Sequence, residues 1–285
     1  MGKIYKTLIC DGQISLSIIE STDVVNKAIE YHNLTPLTAA TLGRAMTASL
    51  FMASNLKNKS DRLSVTISGD GVGGHVIVSV DSDLNVRGYI DNPRAELPLN
   101  EIGKLDVKGC VGQGRITVVR SMGLKEPYTG SAKIVSGELA EDFAYYYAVS
   151  EQEPTAMALG VKISNDGECV GAGGVIMQAL PGVTEEAIKY AEDLIKSYGD
   201  VSSLIQNFGA NGLIERDFST FDFNERDAQY NCICSQTYID ALILSLGKEE
   251  AYAIISEVGK IEIKCQYCDK VYVYTKEDAD KLFDN

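Results

Sequence analysis

Four cysteines stand in two tight pairs near the C-terminus: Cys232 and Cys234 in NCICSQ, Cys265 and Cys268 in KCQYCD. The pairs have C-x-C and C-x-x-C spacing and are separated by 30 residues, 235–264. Two close thiol pairs fit one tetrahedral site with four thiolate ligands. Zinc suits such a set, since it takes thiolates and brings no redox chemistry of its own. An iron–sulfur cluster held by four cysteines uses the same ligands and stays open. CQYC lies between KIEIK and KVYVYT, two β-like runs, so both of its sulfurs sit on one turn. A thioredoxin-type C-x-x-C should open a helix, whose dipole lowers the thiol pKa. CQYC precedes a strand instead, which argues against an oxidoreductase.

The C-x-C half argues against a purely structural metal. Cysteines one residue apart can bond to each other, but the ring is small, strained and easily reduced. Each pair can therefore close on itself once a metal leaves. Such small loops constrain the unfolded chain little, whereas zinc contributes ~10–16 kcal/mol of folding in small zinc peptides. Oxidation would remove the main support of residues 231–285 and return almost nothing, the outline of a redox switch. Cys10, Cys110 and Cys169 lie in strand-like stretches without close partners and read as buried small hydrophobes.

The elements around these thiols fall into three blocks: a core over 1–182, a linker over 183–230 and a zinc unit over 231–285. In the first, RLSVTIS, HVIVSV, NVRGYI and GRITVVR alternate as strands should. PLTAATLGRAMTASLFMASNLK reads as a helix with small residues for close packing on a sheet, and GELAEDFAYYYAVSEQ as a second helix ending before Pro154. Strand runs joined by short turns predict an α+β fold with a largely antiparallel sheet. In the linker, Thr184 should cap a helix, and the apolar pattern thins after Gly199. Residues 183–230 carry ten acidic and four basic side chains, a net of −6. Such a segment has little apolar surface to offset its ordering entropy. In the third block Ser235 should cap a helix carrying Ile239, Leu242, Ile243 and Leu246, which Gly247 ends. KEEAYAIISEVG is a second helix, and TKEDADKLF a short closing one.

Composition narrows the function. The chain of 285 residues carries a formal net charge of −14, which argues against nucleic acid or an anionic membrane as partner. No apolar run is long enough to span a membrane. MGKIYKTLICDG lacks a signal-peptide pattern. The chain therefore reads as cytosolic, where thiols stay reduced and clustered cysteines bind metal or sense redox state. GDGVGG has the G-x-G-x-x-G spacing of Gly69, Gly71 and Gly74, but a strand follows it, so it reads as a hairpin turn. His32 and His75 lie outside any zinc-hydrolase motif. No catalytic constellation emerges, and an enzyme is not expected. Two rivals remain: a zinc-ribbon nucleic-acid binder, opposed by the net −4 of residues 231–285, and an enzyme with a structural zinc tail, for which no cleft residues speak.

With these stretches together, the sequence resembles the redox-regulated 33 kDa chaperonin family, the heat-shock holdases of the bacterial cytosol. The cysteine pattern carries the likeness, together with LGRAMTASL, GKLDVKGCVG, YTGSAKIVSGELAEDFAYYYAVSEQEP and AGGVIMQALPG. It is weakest around Phe208–Tyr230. The resemblance implies a cytoplasmic chaperone that works without ATP and protects unfolding client proteins from aggregation under oxidative and heat stress. It implies one Zn2+ per chain on Cys232, Cys234, Cys265 and Cys268 in an inactive reduced form. It also implies disulfides Cys232–Cys234 and Cys265–Cys268 in an active oxidised form, a homodimer when oxidised, and client hand-over to ATP-dependent chaperones. Combined with the charged linker, it suggests that losing zinc frees residues 183–230. The zinc unit would support their docking through apolar positions such as Ile239, Leu242 and Leu246. The clients would then meet Leu194, Ile195, Leu204 and Ile205.

Overall fold

The computed structural model describes residues 1–123 and 126–284. They form two compact units, Met1–Asn231 and Cys232–Asn285. Ten strands make the sheet of the first: β1 Gly2–Ile9, β2 Ile14–Glu20, β3 Arg62–Gly69, β4 Val76–Asp81, β5 Asn85–Ile90, β6 Gly114–Ser121, β7 Tyr128–Lys133, β8 Thr155–Ile163, β9 Cys169–Ala179 and β10 Asn224–Tyr230. Their order is β7-β6-β3-β4-β5-β10-β1-β2-β9-β8. Neighbours pair antiparallel except β10 with β5, which run parallel through Gln229–Asn85 and Tyr230–Val86. The α+β architecture with a dominantly antiparallel sheet is thus present, and β10 stitches two antiparallel halves together. GDGVGG joins the antiparallel β3 and β4, as a hairpin does.

Period-two alternation splits this sheet between two cores. Ile4, Ile19 and Ile176 enter one core, beneath α1 Thr22–His32 and α2 Pro36–Ala53. Their chain neighbours Tyr5, Ile18 and Val175 face the other way into a second core. α2 is buried nearly all round, which is why its sequence shows small and apolar residues on every face rather than one stripe. Thr35 caps it, accepting from the Thr38 amide, and Pro36 opens it. α3 Val107–Val111 is capped by Asp106. α4 Leu139–Tyr146 runs into a π-helical turn, Tyr147–Glu151, that ends ahead of Pro154.

Residues 183–230 fold in this first unit as α5 Glu185–Ser197, α6 Val201–Asp217 and β10. Thr184 caps α5 by accepting from the Ala187 amide. The packing after Gly199 is fuller than its pattern suggests, since Val201, Ile205, Ala210, Leu213 and Phe218 are all buried. The cause is Gly209, which has φ 64° and ψ 174° inside α6. Only a residue without Cβ takes that conformation readily. It breaks α6 into two segments whose apolar positions are out of phase, so no single 3.6-residue period runs through them. The freed Ala210 amide donates to the Glu20 carboxylate, 2.8 Å away.

Two of the three isolated cysteines are not in strands. Cys10 sits in the turn after β1, with φ 52°, and Cys110 lies in α3. The two valines of VKGCV favour a strand, but the Asp106 cap turns the segment into a helix. Cys169 opens β9. Cys110 and Cys169 are buried as expected, whereas Cys10 is only partly so; burial pushes each thiol up, Cys169 to about 11, which disfavours the reactive thiolate.

The second unit holds α7 Gln236–Leu246, α8 Lys248–Val258, the hairpin of β11 Ile261–Lys264 and β12 Val271–Tyr274, and α9 Lys276–Phe283. Ser235 caps α7, Gly247 ends it, and Thr275 with Asp278 forms a capping box on α9. Its core is small: Ile239, Ile243, Ala251, Ile255, Ile261, Tyr272, Tyr274 and Ala279. Ile239 is therefore occupied within its own unit. Leu242 and Leu246 are 39% and 46% exposed, so the apolar stripe expected for α7 is only half buried.

Candidate metal centre

The β11–β12 hairpin presents two of the four thiols. The Cys265 amide donates to the Lys270 carbonyl, and the Asp269 amide to the Cys265 carbonyl, both at 2.9 Å. Asp269, at φ 58°, turns the chain back into β12. Lys264 and Asp269 add an ion pair across the turn at 2.9 Å. Cys232 and Cys234 lie just before α7, whose cap at Ser235 accepts from the Tyr238 amide. One pair thus rides a strand turn and the other a helix entry.

The structure brings all four predicted thiols together. One sulfur from each of Cys232, Cys234, Cys265 and Cys268 lies within 4.8 Å of the others. Two contacts run between the pairs, Cys232 to Cys265 at 3.6 Å and Cys234 to Cys268 at 3.4 Å. Four sulfurs held tetrahedrally at ~2.3 Å from one ion stand about 3.8 Å apart, so this spacing fits a single metal. All four cysteines are partly exposed, and no histidine or carboxylate joins the group among the described residues.

The four sulfurs are not equivalent. Burial raises the Cys232 and Cys268 thiols. Burial is also the largest influence on Cys234 and pushes it up, but hydrogen bonds from Tyr272 and the neighbouring thiols outweigh it, leaving Cys234 below its ordinary value. The Tyr272 hydroxyl lies 3.3 Å from the Cys234 sulfur. On the same face of β12, the Tyr274 hydroxyl donates to Asp240 and accepts from Gln236 at 2.7 Å. The sequence signal for these two tyrosines was the alternation of KVYVYT, which puts them together on the buried face of the strand; that they reach sulfur and carboxylate was not visible in it.

The four apolar positions expected to meet clients lie on α5 and α6. Ile205 is buried in the second core of the first unit, and Leu194, Ile195 and Leu204 pack half-buried against it. Ile205 is thus covered in this conformation and the other three partly so. No described helix is long and apolar enough to cross a membrane.

Comparison with known proteins adds the family. The profile of the Hsp33 protein family matches residues 2–275. A 33 kDa chaperonin of Acetivibrio thermocellus is 41% identical over 276 residues, covering 95% of this chain and 93% of that one. A 33 kDa chaperonin of Desulforamulus reducens is 37% identical, covering 98% and 96%. The crystal structure of the Thermotoga maritima 33 kDa chaperonin superposes with a TM-score of 0.90 at 36% identity, over 99% of this chain and 97% of that one.

Proposed function

The chain belongs to the Hsp33 family of chaperones, and from that premise we propose that it is a redox-regulated holdase whose switch is the four-thiol cluster. The observation that carries this reading is the cluster itself: four sulfurs within 4.8 Å, in a unit with only a small apolar core of its own. Cys232, Cys234, Cys265 and Cys268 would hold one Zn2+ in the reduced protein. When bound, zinc cross-links the C-x-C entry of α7 to the β11–β12 turn and supplies folding free energy. A single ion suits sulfurs this close; a multi-iron cluster spreads its cysteines further.

Oxidation joins Cys232 to Cys234 and Cys265 to Cys268 in this proposal. The short tethers keep each pair together as the unit loosens. The second unit then loses its central cross-link, and residues 183–230 act as the responsive linker. Ile205 is covered, and Leu194, Ile195 and Leu204 partly so, while α5 and α6 are docked, so undocking creates apolar surface for unfolding proteins. Dimerisation in the oxidised state, action in the cytoplasm without ATP, and release of clients to ATP-dependent chaperones belong to the same proposal.

The test combines a metallochromic dye with an aggregation assay. Peroxide with mild heat should release one zinc per chain, and suppression of client aggregation should appear with it. Zinc release with no gain in protection, or equal protection before and after oxidation, would overturn the switch.

A further inference from the structure

We propose that Tyr272 is a positioning residue of the thiolate site: its hydroxyl donates to the Cys234 sulfur, strengthens metal retention and restrains that sulfur's reactivity. The inference rests on the metal and redox reading above and adds a residue to it. Tyr272 is 4% exposed, and its hydroxyl lies 3.3 Å from the sulfur. The tyrosine is therefore sheltered from water, while Cys234 is partly exposed. A thiolate accepts a charge-assisted hydrogen bond of this kind more strongly than a thiol does. The Lys270 ammonium lies 4.7 Å from the centre of the Tyr272 ring and draws electron density from it, which makes the phenol a better donor. The β12 register fixes the ring: Tyr272 pairs with Ile263, two residues ahead of Cys265, so the hairpin whose turn carries Cys265 and Cys268 also carries the donor for the other pair. Tyr272 thus ties the C-x-C pair to the hairpin by a bond that needs no metal.

Partners that hydrogen-bond to metal ligands, when removed, typically lower metal affinity by ~10–100-fold. The donor also draws charge from sulfur, and a less electron-rich sulfur is a weaker nucleophile. The reaction restrained is attack of the Cys234 thiolate on a hydroperoxide. The S–O bond forms as the O–O bond breaks, hydroxide leaves, sulfur is oxidised to a sulfenic acid and the peroxide is reduced. The Cys232 thiol then displaces that hydroxyl as water and the S–S bond forms.

Tyr274 supplies a matched control. It lies on the same strand face, is 3% exposed and donates to the Asp240 carboxylate rather than to sulfur. Tyr272→Phe and Tyr274→Phe therefore each delete one buried hydroxyl bonded to an acceptor, but only the first touches the site. The experiment measures three things on the full reduced chain after a far-UV check of folding: zinc affinity by chelator competition, the sulfur-to-metal charge-transfer band of the cobalt-substituted protein, and zinc release by hydrogen peroxide. In Tyr272→Phe we expect affinity to fall about tenfold or more, the band to move to lower energy as sulfur becomes electron-richer, and release to speed up several-fold by the same cause. Tyr274→Phe should match wild type in band position. An unmoved band in Tyr272→Phe, or equal changes in both variants, would reduce Tyr272 to packing and overturn the inference. If the wild-type chain holds no zinc, the metal reading fails separately. Alkylation of Cys234 by iodoacetamide in the metal-free chain then decides: faster in Tyr272→Phe supports the restraint, and an equal rate overturns it.

Discussion

Replacing Gly171 with alanine should loosen α6 from the sheet and give the reduced chain chaperone activity that oxidation otherwise supplies. Gly171 lies in β9, one of the strands beneath α6. A Cβ there would stand 2.3 Å from the Ser202 carbonyl oxygen and 3.0 Å from the Gln206 Cβ. Real Cβ atoms do not come closer than 3.0 Å, so the Ser202 backbone must withdraw by about 0.7 Å. The obstacle is main chain, which cannot rotate aside as a side chain does. Gly171 does not have a positive φ, so alanine itself is unstrained and the effect is steric alone. Overpacking of this kind costs about 1–3 kcal/mol, which moves a docked–undocked equilibrium roughly 5–150-fold. The assay is aggregation of a thermally unfolding client with reduced, metal-loaded protein, alongside hydrogen exchange. Amides of residues 201–217 should lose protection, those of β3 to β6 should keep it, and client aggregation should fall without oxidant. Gly199→Ala, whose Cβ meets only the Lys196 carbonyl at 3.4 Å, is the control that leaves both unchanged. Lost protection in α6 with no gain in chaperone activity would refute residues 183–230 as the client-holding segment.

Three further outcomes follow from the same structure. Chelating metal from the reduced protein should abolish amide protection across 232–284 while the strands of the first unit keep theirs; full protection in both would show that metal does not hold the second unit. Peptide mapping after peroxide should recover Cys232–Cys234 and Cys265–Cys268; since close sulfur contacts also cross between the pairs, dominant Cys232–Cys265 and Cys234–Cys268 peptides are the result that would contradict the short-tether reasoning. Hydrogen bonds from Arg216 and then Tyr198 hold the Asp217 carboxyl below its usual 3.8, despite partial burial. Its contribution to α6 is therefore complete above that value and lost as pH falls through the lower folded one, so NMR signals of α6 should stay native to about pH 4 and weaken below it, and Asp217→Asn should remove part of that dependence.

What could be read in the sequence depended on how local its physical cause is. The cysteine site was legible because ligand type, spacing and a strand–turn–strand context all lie within a few residues of each thiol. Ser235, Thr184 and Gly247 were legible for the same reason, since a cap acts within one turn. The packing of α6 was not, because Gly209 divides its period and its partners are distant in sequence, with Glu20 meeting the Ala210 amide. β10 was hidden too: NERDAQY has little apolar alternation, and its role comes from pairing with β1 on one side and β5 on the other. Cys110 reads as part of a strand because its neighbouring valines favour one, and a lone aspartate three residues ahead of Gly109 is a weaker signal than they are.

The two units differ in what holds them, and that difference explains why a thiol event can be selective. The first buries apolar residues on both faces of a ten-stranded sheet. The second spans Cys232–Asn285 and has eight buried hydrophobic residues, two of them tyrosines whose hydroxyls are committed to Cys234 and Asp240. A single core in a chain below about 70–80 residues rarely supplies more than about 3–5 kcal/mol, so a staple matters at this size. The sulfur cluster is the staple available here. Under the proposed switch, its loss would act on the second unit first and leave the sheet as the platform from which α5 and α6 detach. Those helices are the intermediate case: α5 is amphipathic, both are seated on β8 and β9, and Leu194, Ile195 and Leu204 are only half-buried. A segment whose docking is worth only a few kcal/mol is where a population can be moved. The proposed switch thus requires stability to fall from sheet to linker to thiol unit, and hydrogen exchange across the three is the measurement that ranks them.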